Sequence, residues 1–452
     1  MRQEYFLCRC KTGSKICSTL LSTSPVPKLD AEVIIIGNGP AGLSLSAFLS
    51  GWLPFYSPDD SPHPNEFIHD KLSEHNENSL FDQDFSWLDN SINIMNSGAR
   101  PFSLLFDNLM RPSVDNINFR SSVLTWIYNP SRAISHLVIA ETPLGGSWNH
   151  YDDNMISVSV DNLLDLPAFR IADWRDGSDL NRRLPASVYR KYLSDYAEVM
   201  LINKQFTVGF RVEQIKVKCC TSNCKEQYWE VLGTKNNKLV LLKCKKVVLA
   251  CGKNRDRLLG VKGELEGNRI VYNLRDLKQM LASSATFFPL KRKVIVVGDG
   301  ISAADSVLHC LNSNISVLHV IRRVDEQLQF TKLSRLNVSI YPEYARVFNL
   351  MTGRCRDSLY TKITCATVES VNEGSVLIKT AQGTSTEHFE ILCICIGKES
   401  DLSMLADKYT FQDYYCNEDS SLFCIGSLAE DHFVRYLIGG AMEVARSLMY
   451  SC

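Results

Sequence analysis

The stretch VIIIGNGPAG, residues 33–42, decides the fold of this 452-residue chain. A β-branched run leads directly into three glycines, at the spacing that joins a buried parallel strand to a helix. Gly37 permits the tight turn, Gly39 lets a diphosphate approach the backbone, and Gly42 lets helix and strand pack closely. The first amides of the helix then face the phosphate. We predict a dinucleotide site here, and FAD rather than NAD because it comes first in the chain. The predicted contacts are Gly37, Gly39, Pro40, Ala41 and Gly42.

A second strand–glycine–helix unit, VIVVGDGISA, occupies residues 294–303. Alanine at its third glycine position is within the pattern. About 20 residues further on, the predicted strand 316–321 ends in two arginines, where an acidic residue would favour NAD. Guanidinium groups bind a 2′-phosphate through paired hydrogen bonds, so we predict NADPH. The alternative is that both arginines are solvated surface charges. The predicted contacts are Gly298, Gly300, Ser302, Arg322 and Arg323.

The acidic ribose ligand of the first site is expected about 20 residues after its glycines. Asp59 and Asp60 have that spacing but lie in a proline-rich loop. Glu141 is the better candidate, because it ends the predicted strand 136–140; the alternative is a solvated charge at a strand end. The following segment PLGGSW, residues 143–148, suits a loop that passes close to a flavin. Further predicted flavin contacts are Glu141, Gly145, Gly146, Ser147 and Trp148, with Gly426 and Asp431 before the C-terminal helix.

The duplicated unit predicts an α/β fold of two interleaved Rossmann-like dinucleotide-binding domains. The first domain should contain an insertion with short helices over about 51–133 and a β-meander over about 206–244. Two buried strands that end in a small residue and a glycine, 247–252 and 391–397, should carry the chain between the domains. The expected division is a tail over 1–30, an FAD-binding domain over 31–252, an NADPH-binding domain over 253–396 and a return to the first domain over 397–452.

Composition excludes several classes of function. With 49 basic and 50 acidic side chains, the chain has no net field that would attract nucleic acid or an anionic membrane. No run approaches the roughly 20 apolar residues of a membrane helix. The 16 cysteines are scattered, some within apolar runs, which indicates free thiols in a reducing compartment. We expect an intracellular protein, cytoplasmic in the first instance, with mitochondrial and nuclear locations as alternatives. No metal site is expected, and Cys393 and Cys395 should lie on opposite faces of their strand.

The chain resembles the flavin-containing monooxygenases in its two glycine motifs, its GGSW loop and its Ala-Cys-Gly crossing at 250–252. From about Ala31 to the C-terminus it is similar, more specifically, to the oxidative-stress-induced growth inhibitor family. The segments that carry this resemblance are GNGPAGLSLSAFLSG, GDGISAADSVLHCLNSNISVLHVIRR, YPEY and DHFVRYLIGGA. It implies FAD, NADPH and O2 chemistry, and a link to growth control and cell death. One departure is Asn273, which stands where the monooxygenases carry a histidine.

These observations favour an NADPH-dependent flavin monooxygenase that acts on a small-molecule substrate. NADPH would reduce FAD, and the reduced flavin would take up O2 as a C4a-hydroperoxide. The missing histidine motivates one alternative, an NADPH oxidase that releases H2O2. The link to growth control motivates another, a regulatory protein that keeps the fold without turnover. The sequence identifies neither a catalytic acid or base nor the substrate.

Overall fold

A computed structural model describes residues 28–57, 62–88, 99–112, 121–175, 182–219, 227–284 and 293–450. The predicted tail lies outside the described residues up to position 27. The α-helices are α1 (Pro40–Leu49), α2 (Glu66–Ser73), α3 (Pro101–Met110), α4 (Ile171–Trp174), α5 (Ala186–Val199), α6 (Leu274–Ser284), α7 (Ile301–Asn312), α8 (Pro342–Met351) and α9 (Val434–Tyr450).

Strands account for most of the remaining regular structure. They are β1 (Val33–Ile36), β2 (Trp52–Tyr56), β3 (Leu124–Tyr128), β4 (His136–Ala140), β5 (Ile156–Val160), β6 (Arg183–Pro185), β7 (Phe206–Val208), β8 (Phe210–Cys219), β9 (Gln227–Lys235), β10 (Lys238–Cys244), β11 (Lys246–Leu249), β12 (Arg255–Asp256), β13 (Ile270–Val271), β14 (Lys293–Val297), β15 (Ser316–Val320), β16 (Tyr360–Ile363), β17 (Thr367–Asn372), β18 (Ser375–Thr380), β19 (Gly383–His388), β20 (Ile391–Ile394), β21 (Lys398–Glu399), β22 (Phe411–Gln412), β23 (Tyr415–Cys416) and β24 (Leu422–Cys424).

The first glycine motif lies in a seven-stranded sheet with the order β22-β23-β24-β11-β1-β4-β7. β1 runs parallel to both of its neighbours, β11 and β4, and all four of its residues are buried. A strand covered on both faces needs a continuous apolar run, which is why VIII occurs here. Helix α1 follows β1 and is buried along its whole length. The strand predicted at the start of 33–42 and the strand predicted at 136–140 are confirmed, and the structure shows that they are parallel neighbours.

The predicted insertion leaves this sheet after α1 and returns before β4. Its described part contains α2 and α3, in agreement with the expected short helices. Its two ends pair as an antiparallel hairpin of β2 and β3, which the sequence analysis did not predict. The hairpin closes the insertion at its base, so that the chain re-enters the sheet close to where it left.

A three-stranded antiparallel sheet with the order β10-β9-β8 forms the β-meander. It begins at Phe210 rather than at 206, because Phe206–Val208 joins the large sheet beside β4. The predicted start was therefore wrong by one strand. A strand of three residues shows too short a pattern to reveal which sheet it enters.

The second glycine motif lies in a parallel sheet with the order β13-β20-β14-β15-β16. Residues on one face, among them Val294 and Val296, pack against α6, α7 and α8. Residues on the other face, among them Ile295 and Leu318, pack against the antiparallel sheet of β17, β18 and β19. The two sheets with their helices confirm the predicted α/β class with two Rossmann-like units. The residue boundaries assigned to the domains stay a prediction.

Two short antiparallel strands join the units. β12 follows the end of β11, β21 follows the end of β20, and the two pair with each other. The chain therefore leaves the first unit and returns to it side by side. The crossings predicted at 247–252 and 391–397 lie directly before this pair. Among the described residues, no helix has both the length and the apolar character needed to span a bilayer.

Asp107, on α3, ties the insertion to the C-terminal helix. Its carboxylate is fully buried and accepts hydrogen bonds from Arg111 Nη1 at 2.7 Å and Arg435 Nε at 2.8 Å. Arg111 also donates to the backbone carbonyls of Asn162 and Asp165. A buried charge is tolerated only when it is paired and hydrogen-bonded, as it is here. The insertion is thus anchored to α9 by an enclosed ion-pair network.

We expect Asp107→Asn to lower the free energy of unfolding by about 3–5 kcal/mol, because it leaves the buried Arg111 and the partly buried Arg435 without their counter-charge. Denaturant unfolding followed by circular dichroism measures the change. Asp173→Asn is the matched control, since Asp173 pairs with Arg170 on the surface. It should cost less than about 1 kcal/mol. Similar losses in both variants would show that the buried network does not anchor the insertion.

Candidate functional site

Close packing between β1, α1 and the end of β11 builds the first glycine turn. Gly37 has a φ of +118°, and a Cβ there would overlap the carbonyl oxygen of Ala250. A Cβ on Gly42 would overlap the carbonyl oxygen of Gly37. A Cβ on Gly39, by contrast, would lie 3.9 Å from the nearest atom, the Cα of Gly146. The turn is therefore closed to side chains at its first and third glycines and open at its second.

Both glycine turns end in a helix whose N-terminus has no side-chain cap. Gly39 is the N-cap residue of α1 and Gly300 that of α7, and neither helix has an acidic residue in its first turn. The first amides of a helix lack intrahelical partners and carry a partial positive charge. Each N-terminus can therefore bind an anion such as a diphosphate.

The loop after β4 lies against the first turn. Gly145 donates its backbone N–H to the carbonyl of Asn38 at 3.0 Å, and a Cβ on Gly146 would come within 2.9 Å of Gly39 Cα. Glu141 and Ser147, at the two ends of this loop, are exposed. The candidates from the first turn and from this loop are thus brought together.

Trp148 is only partly buried, and its ring packs against two tyrosines. Its centroid lies 4.5 Å from that of Tyr189 and 5.4 Å from that of Tyr151, with edge-to-face geometry in both pairs. Such pairs hold an aromatic side chain in one orientation. Trp148, itself one of the predicted flavin contacts, therefore also has a packing role within the protein.

The segment before α9 also meets the first turn. A Cβ on Gly426 would lie 3.0 Å from the Cβ of Ala41. Asp431 is 4% exposed, and its two carboxylate oxygens accept hydrogen bonds from Arg100 Nη1 at 3.0 Å and Tyr414 Oη at 2.9 Å. Burial raises the pKa of Asp431 to about 6, against the lowering effect of these two partners. Gly426 thus borders the turn, while the Asp431 side chain is engaged by other parts of the protein.

The second turn repeats the construction of the first. Gly298 has a φ of +125°, and a Cβ there would overlap the carbonyl oxygen of Cys395, whereas the space beside Gly300 is open. Ser302, in the first turn of α7, is exposed. Like the first glycine of the other turn, Gly298 lies against the chain that crosses between the units.

The two predicted phosphate ligands differ in their surroundings. Arg322 and Arg323 are both exposed where β15 ends. Arg323 Nε donates to Asp299 Oδ2, within the glycine turn itself, at 2.6 Å. Arg322 makes no hydrogen bond or ion pair with the described residues. Arg323 is thus fixed beside the turn, and Arg322 is the guanidinium that remains available to a ligand.

His319 holds the second turn in place, a role that the sequence analysis missed. Its ring is fully buried, with Nε2 2.6 Å from the carbonyl oxygen of Gly298 and Nδ1 2.9 Å from Tyr360 Oη. Because a carbonyl only accepts, Nε2 carries the proton and Nδ1 accepts from the tyrosine. Burial lowers the pKa of His319 to about 4, so the ring is neutral at physiological pH. The only signal in the sequence was a polar residue within an apolar strand.

The position of two thiols corrects an expectation. Cys393 and Cys395 were predicted to lie on opposite faces of their strand, but their sulfur atoms are 3.6 Å apart. Residues two apart along a strand share a face, so the prediction was wrong. Both thiols are buried beside Ser306, and the hydrogen bond with Cys393, together with burial, raises the pKa of Cys395 well above its ordinary value. A neutral, enclosed thiol is a poor nucleophile, and the pair is not a reactive dithiol in this arrangement.

Contacts between the units lie beside the first loop. Arg275, on α6, donates to the backbone carbonyl of Asn149 at 2.9 Å, and Lys278 Nζ lies 2.7 Å from Asp152 Oδ1. The loop that borders the first turn is therefore fixed against a helix of the second unit. Together with the paired crossing strands, these contacts hold the two units in one relative orientation.

The state of His319 leads to a pH-dependent prediction. Its folded-state pKa lies below its ordinary value of 6.5, so its neutral form stabilises the fold above about pH 6.5. That contribution, about 3 kcal/mol, is lost as the pH falls from 6.5 to 4. In His319→Gln the new side chain does not titrate. This variant should be less stable than the parent protein at pH 7, because the bond to Tyr360 is lost.

By pH 4 the difference in unfolding free energy should close or change sign. Urea unfolding of both proteins at several pH values measures it. The exposed His388, replaced by Gln, serves as the control and should show no such convergence. A difference between His319→Gln and the parent that stays constant from pH 7 to pH 4 would contradict the assignment of a neutral, hydrogen-bonded ring.

The fold is similar to that of solved flavoprotein structures. No family model matches the chain. Among solved structures, bacillithiol disulfide reductase from Staphylococcus aureus is 13% identical, with a TM-score of 0.58 over 93% of this chain and 98% of that one. The ornithine N-hydroxylase of Kutzneria sp. 744, solved with reduced FAD, NADP+ and L-ornithine, is 11% identical, with a TM-score of 0.55 over the same shares. At these identities the likeness concerns the fold.

A likeness in sequence is much stronger. The oxidative stress induced growth inhibitor homolog of Caenorhabditis elegans is 39% identical over 445 residues, which cover 93% of this chain and 94% of that protein. Identity at that level across nearly both whole chains extends the match beyond the glycine motifs. The chain belongs to the oxidative stress-induced growth inhibitor family.

Proposed function

We propose that the chain is an FAD-dependent NADPH oxidoreductase of the flavin monooxygenase type, which acts on a small-molecule substrate and O2. The observation that carries the proposal is the duplicated turn. Two uncapped helix N-termini, at Pro40 and Ile301, each follow a glycine that packs against a crossing chain. One such turn accompanies any dinucleotide site. Two of them joined through a single pair of crossing strands suit transfer of electrons between two nucleotides.

We assign FAD to the first turn. The amides at the start of α1 would hold its diphosphate, since no side chain competes for them. Glu141, which follows the end of β4 next to β1, would bind a ribose hydroxyl. The loop through Gly145 and Gly146 would border the flavin, which supplies the redox chemistry when bound. The fold it shares with the FAD-bound ornithine N-hydroxylase supports this assignment.

Asp431 differs from the other proposed flavin contacts in that its side chain is engaged within the protein. Its carboxylate oxygens already accept bonds from Arg100 and Tyr414. Its proposed contribution is therefore to the shape of the segment that begins at Gly426 and leads into α9. Gly426 itself is close enough to Ala41 to border a diphosphate at the same helix N-terminus.

We assign NADPH to the second turn. Its diphosphate would lie at the start of α7, near Gly300 and Ser302. Arg322 supplies an unengaged guanidinium for the 2′-phosphate, while Asp299 holds Arg323 beside the glycines. A guanidinium offers a phosphate two parallel hydrogen bonds, which a ribose hydroxyl cannot match. This difference is the basis for preferring NADPH over NADH.

One experiment tests the function as a whole. Purified full-length protein should show flavin absorbance, and NADPH added without oxygen should bleach it, faster than NADH does. Air is then admitted, and NADPH consumed is compared with H2O2 released across a panel of nucleophilic small molecules. A monooxygenase consumes NADPH with little peroxide when a substrate is present. Absence of flavin after reconstitution, or flavin that NADPH does not reduce, would refute the proposal.

A second candidate, an NADPH oxidase that releases H2O2, is favoured by the surroundings of Asn273. Its Oδ1 accepts from the backbone N–H of Asp276 at 2.9 Å, and its Nδ2 donates to the Asp276 carboxylate at 2.7 Å. The side chain therefore caps α6, where the monooxygenases carry a histidine. Peroxide equal to the NADPH consumed, with every substrate offered, would favour this candidate.

The third candidate is a regulatory protein without turnover, and the names of the relatives support it. Inhibition of growth under oxidative stress is a cellular outcome, which an enzyme or a cofactor-binding regulator can both produce. Bound flavin together with no consumption of NADPH, in the same experiment, would favour it.

Replacement of Arg322 by Ala should raise the KM for NADPH about 10- to 100-fold, because a charge-assisted hydrogen bond to the 2′-phosphate is lost. The KM for NADH should not change, since NADH has no 2′-phosphate. Steady-state kinetics with both nucleotides measures the ratio. Arg356→Ala, at an exposed arginine elsewhere in the same unit, is the control and should change neither value. Equal effects of Arg322→Ala on the two nucleotides would contradict the assignment.

A further inference from the structure

Asn38 fills the position between the first two glycines of the first turn, and its side chain is 1% exposed. Its Nδ2 donates to the carbonyl oxygens of Thr142 at 2.8 Å and Pro143 at 3.0 Å. Its Oδ1 accepts from Thr142 Oγ1 and from the backbone N–H of Gly146, both at 3.1 Å. Every hydrogen-bonding group of the amide thus has a partner, and all the partners lie in one loop.

This arrangement fixes the orientation of the amide. Two carbonyl oxygens face Nδ2, and the Gly146 N–H faces Oδ1, so the reversed orientation would lose these three bonds; only the Thr142 hydroxyl could bond to either group. A buried side chain whose polar groups are all satisfied holds its surroundings rigidly. Asn38 therefore clamps the loop that follows β4 onto the glycine turn that follows β1.

The clamped residues lie directly beside the proposed flavin contacts. Thr142 follows Glu141, and Gly146 precedes Ser147. The loop also has a left-handed conformation at two successive residues, with φ of +112° at Gly145 and +56° at Gly146. Such a loop has many alternative conformations in the absence of a partner, since glycine is the most flexible residue. Asn38 supplies that partner from the glycine turn.

We propose that Asn38 is a positioning residue for the first nucleotide site: by holding the loop 142–146 on the glycine turn, it places Glu141 and Ser147 towards the nucleotide bound there. The inference rests on the proposed binding of FAD at this turn. Asn38 acts through the loop rather than by touching the cofactor, because its own polar groups are already engaged.

Two measurements distinguish the effect of Asn38 on the loop from its effect on FAD binding. In the first, hydrogen–deuterium exchange is measured on full-length protein stripped of flavin. Asn38→Ala should speed exchange in the peptide that contains Gly145 and Gly146, because the bond from the Gly146 N–H is lost. Exchange in peptides from the second sheet should stay as in the parent protein. Unchanged exchange in the loop would overturn the proposal, whether or not the protein binds flavin.

In the second readout, FAD binding to the same flavin-free protein is followed by quenching of flavin fluorescence. Asn38→Asp has nearly the same shape but directs an oxygen at the two carbonyls. We expect its Kd for FAD to rise about 10- to 100-fold at pH 8, since two donors are lost and like charges face each other. The groups bonded to Asn38 are two carbonyls, a hydroxyl and a backbone amide, none of which titrates in this range.

The Asp variant should recover affinity as the pH falls, because a protonated carboxyl can again donate to one carbonyl. A general loss of structure would not produce this recovery, and Asn38→Ala should not show it. Asn236→Asp, the same substitution in an exposed turn, is the control. Thr142→Val removes one of the four bonds and should raise the Kd for FAD less than Asn38→Asp does. It replaces Asn38→Asp as the test if that variant does not fold.

The outcomes distinguish the positioning role of Asn38 from the proposed binding of FAD. Faster loop exchange in Asn38→Ala, together with weaker and pH-dependent FAD binding in Asn38→Asp, supports the positioning role. Parent-like FAD affinity in both Asn38 variants and in Thr142→Val overturns it. If the parent protein binds no FAD although its loop exchange responds to Asn38, the proposed function fails, and with it the positioning role for a flavin nucleotide.

Discussion

Two backbone carbonyl oxygens, those of Ala250 and Cys395, lie where the first glycine of each turn would carry its Cβ. Any side chain at Gly37 or Gly298 would have to displace the end of a strand that is paired on both sides within its sheet. Both carbonyls belong to the segments that carry the chain between the two units. The turns, the helices that follow them and the crossing are therefore coupled by steric exclusion, and none can shift without the others. This coupling joins each of the two open helix N-termini to one of the segments that cross between the units.

Each turn is further held by a buried polar side chain, of a different kind in each case. At the first turn the Asn38 amide bonds to a neighbouring loop, and at the second the His319 ring bonds to the turn's own carbonyl. In a low-dielectric interior such bonds are strong, and an unsatisfied partner is costly. A polar group with all its partners in place therefore fixes backbone orientation more firmly than apolar packing does. The two nucleotide sites that we propose thus share the glycine turn, but a different buried side chain holds each turn in place.

The insertion bonds to α9 and to the segment before it, in a way that no motif indicates. Arg100, at the start of α3, bonds to Asp431, and the enclosed Asp107 network secures the same helix to α9. The sequence alone predicted Asp431 as a cofactor contact, and its carboxylate bonds to Arg100 of the insertion. The insertion thus affects the chemistry of the segment before α9, although it lies far away in the chain.

The sequence by itself determined the two strand–glycine–helix units, the α/β class and the crossing segments. These features are local: a buried strand, a tight turn and a helix start each require particular residues within about ten positions. It also predicted that Arg322 and Arg323 follow the second strand of the second unit, since their distance from the glycines is set by the length of one helix and one strand; their role as phosphate ligands stays a prediction. The start of the β-meander and the faces of Cys393 and Cys395 were predicted wrongly, the latter because residues two apart in a strand point the same way.

Only the tertiary structure decided which side chains meet across long separations. Asn38 and Thr142 are about a hundred residues apart, Arg100 and Asp431 more than three hundred. It showed that Asp431 is engaged, that Arg323 is held by Asp299 while Arg322 is not, and that His319 supports the second turn. Such contacts depend on how the sheets and the insertion pack together. No periodicity or spacing along the chain records them, because hydrogen-bond partners are selected by proximity in the folded state.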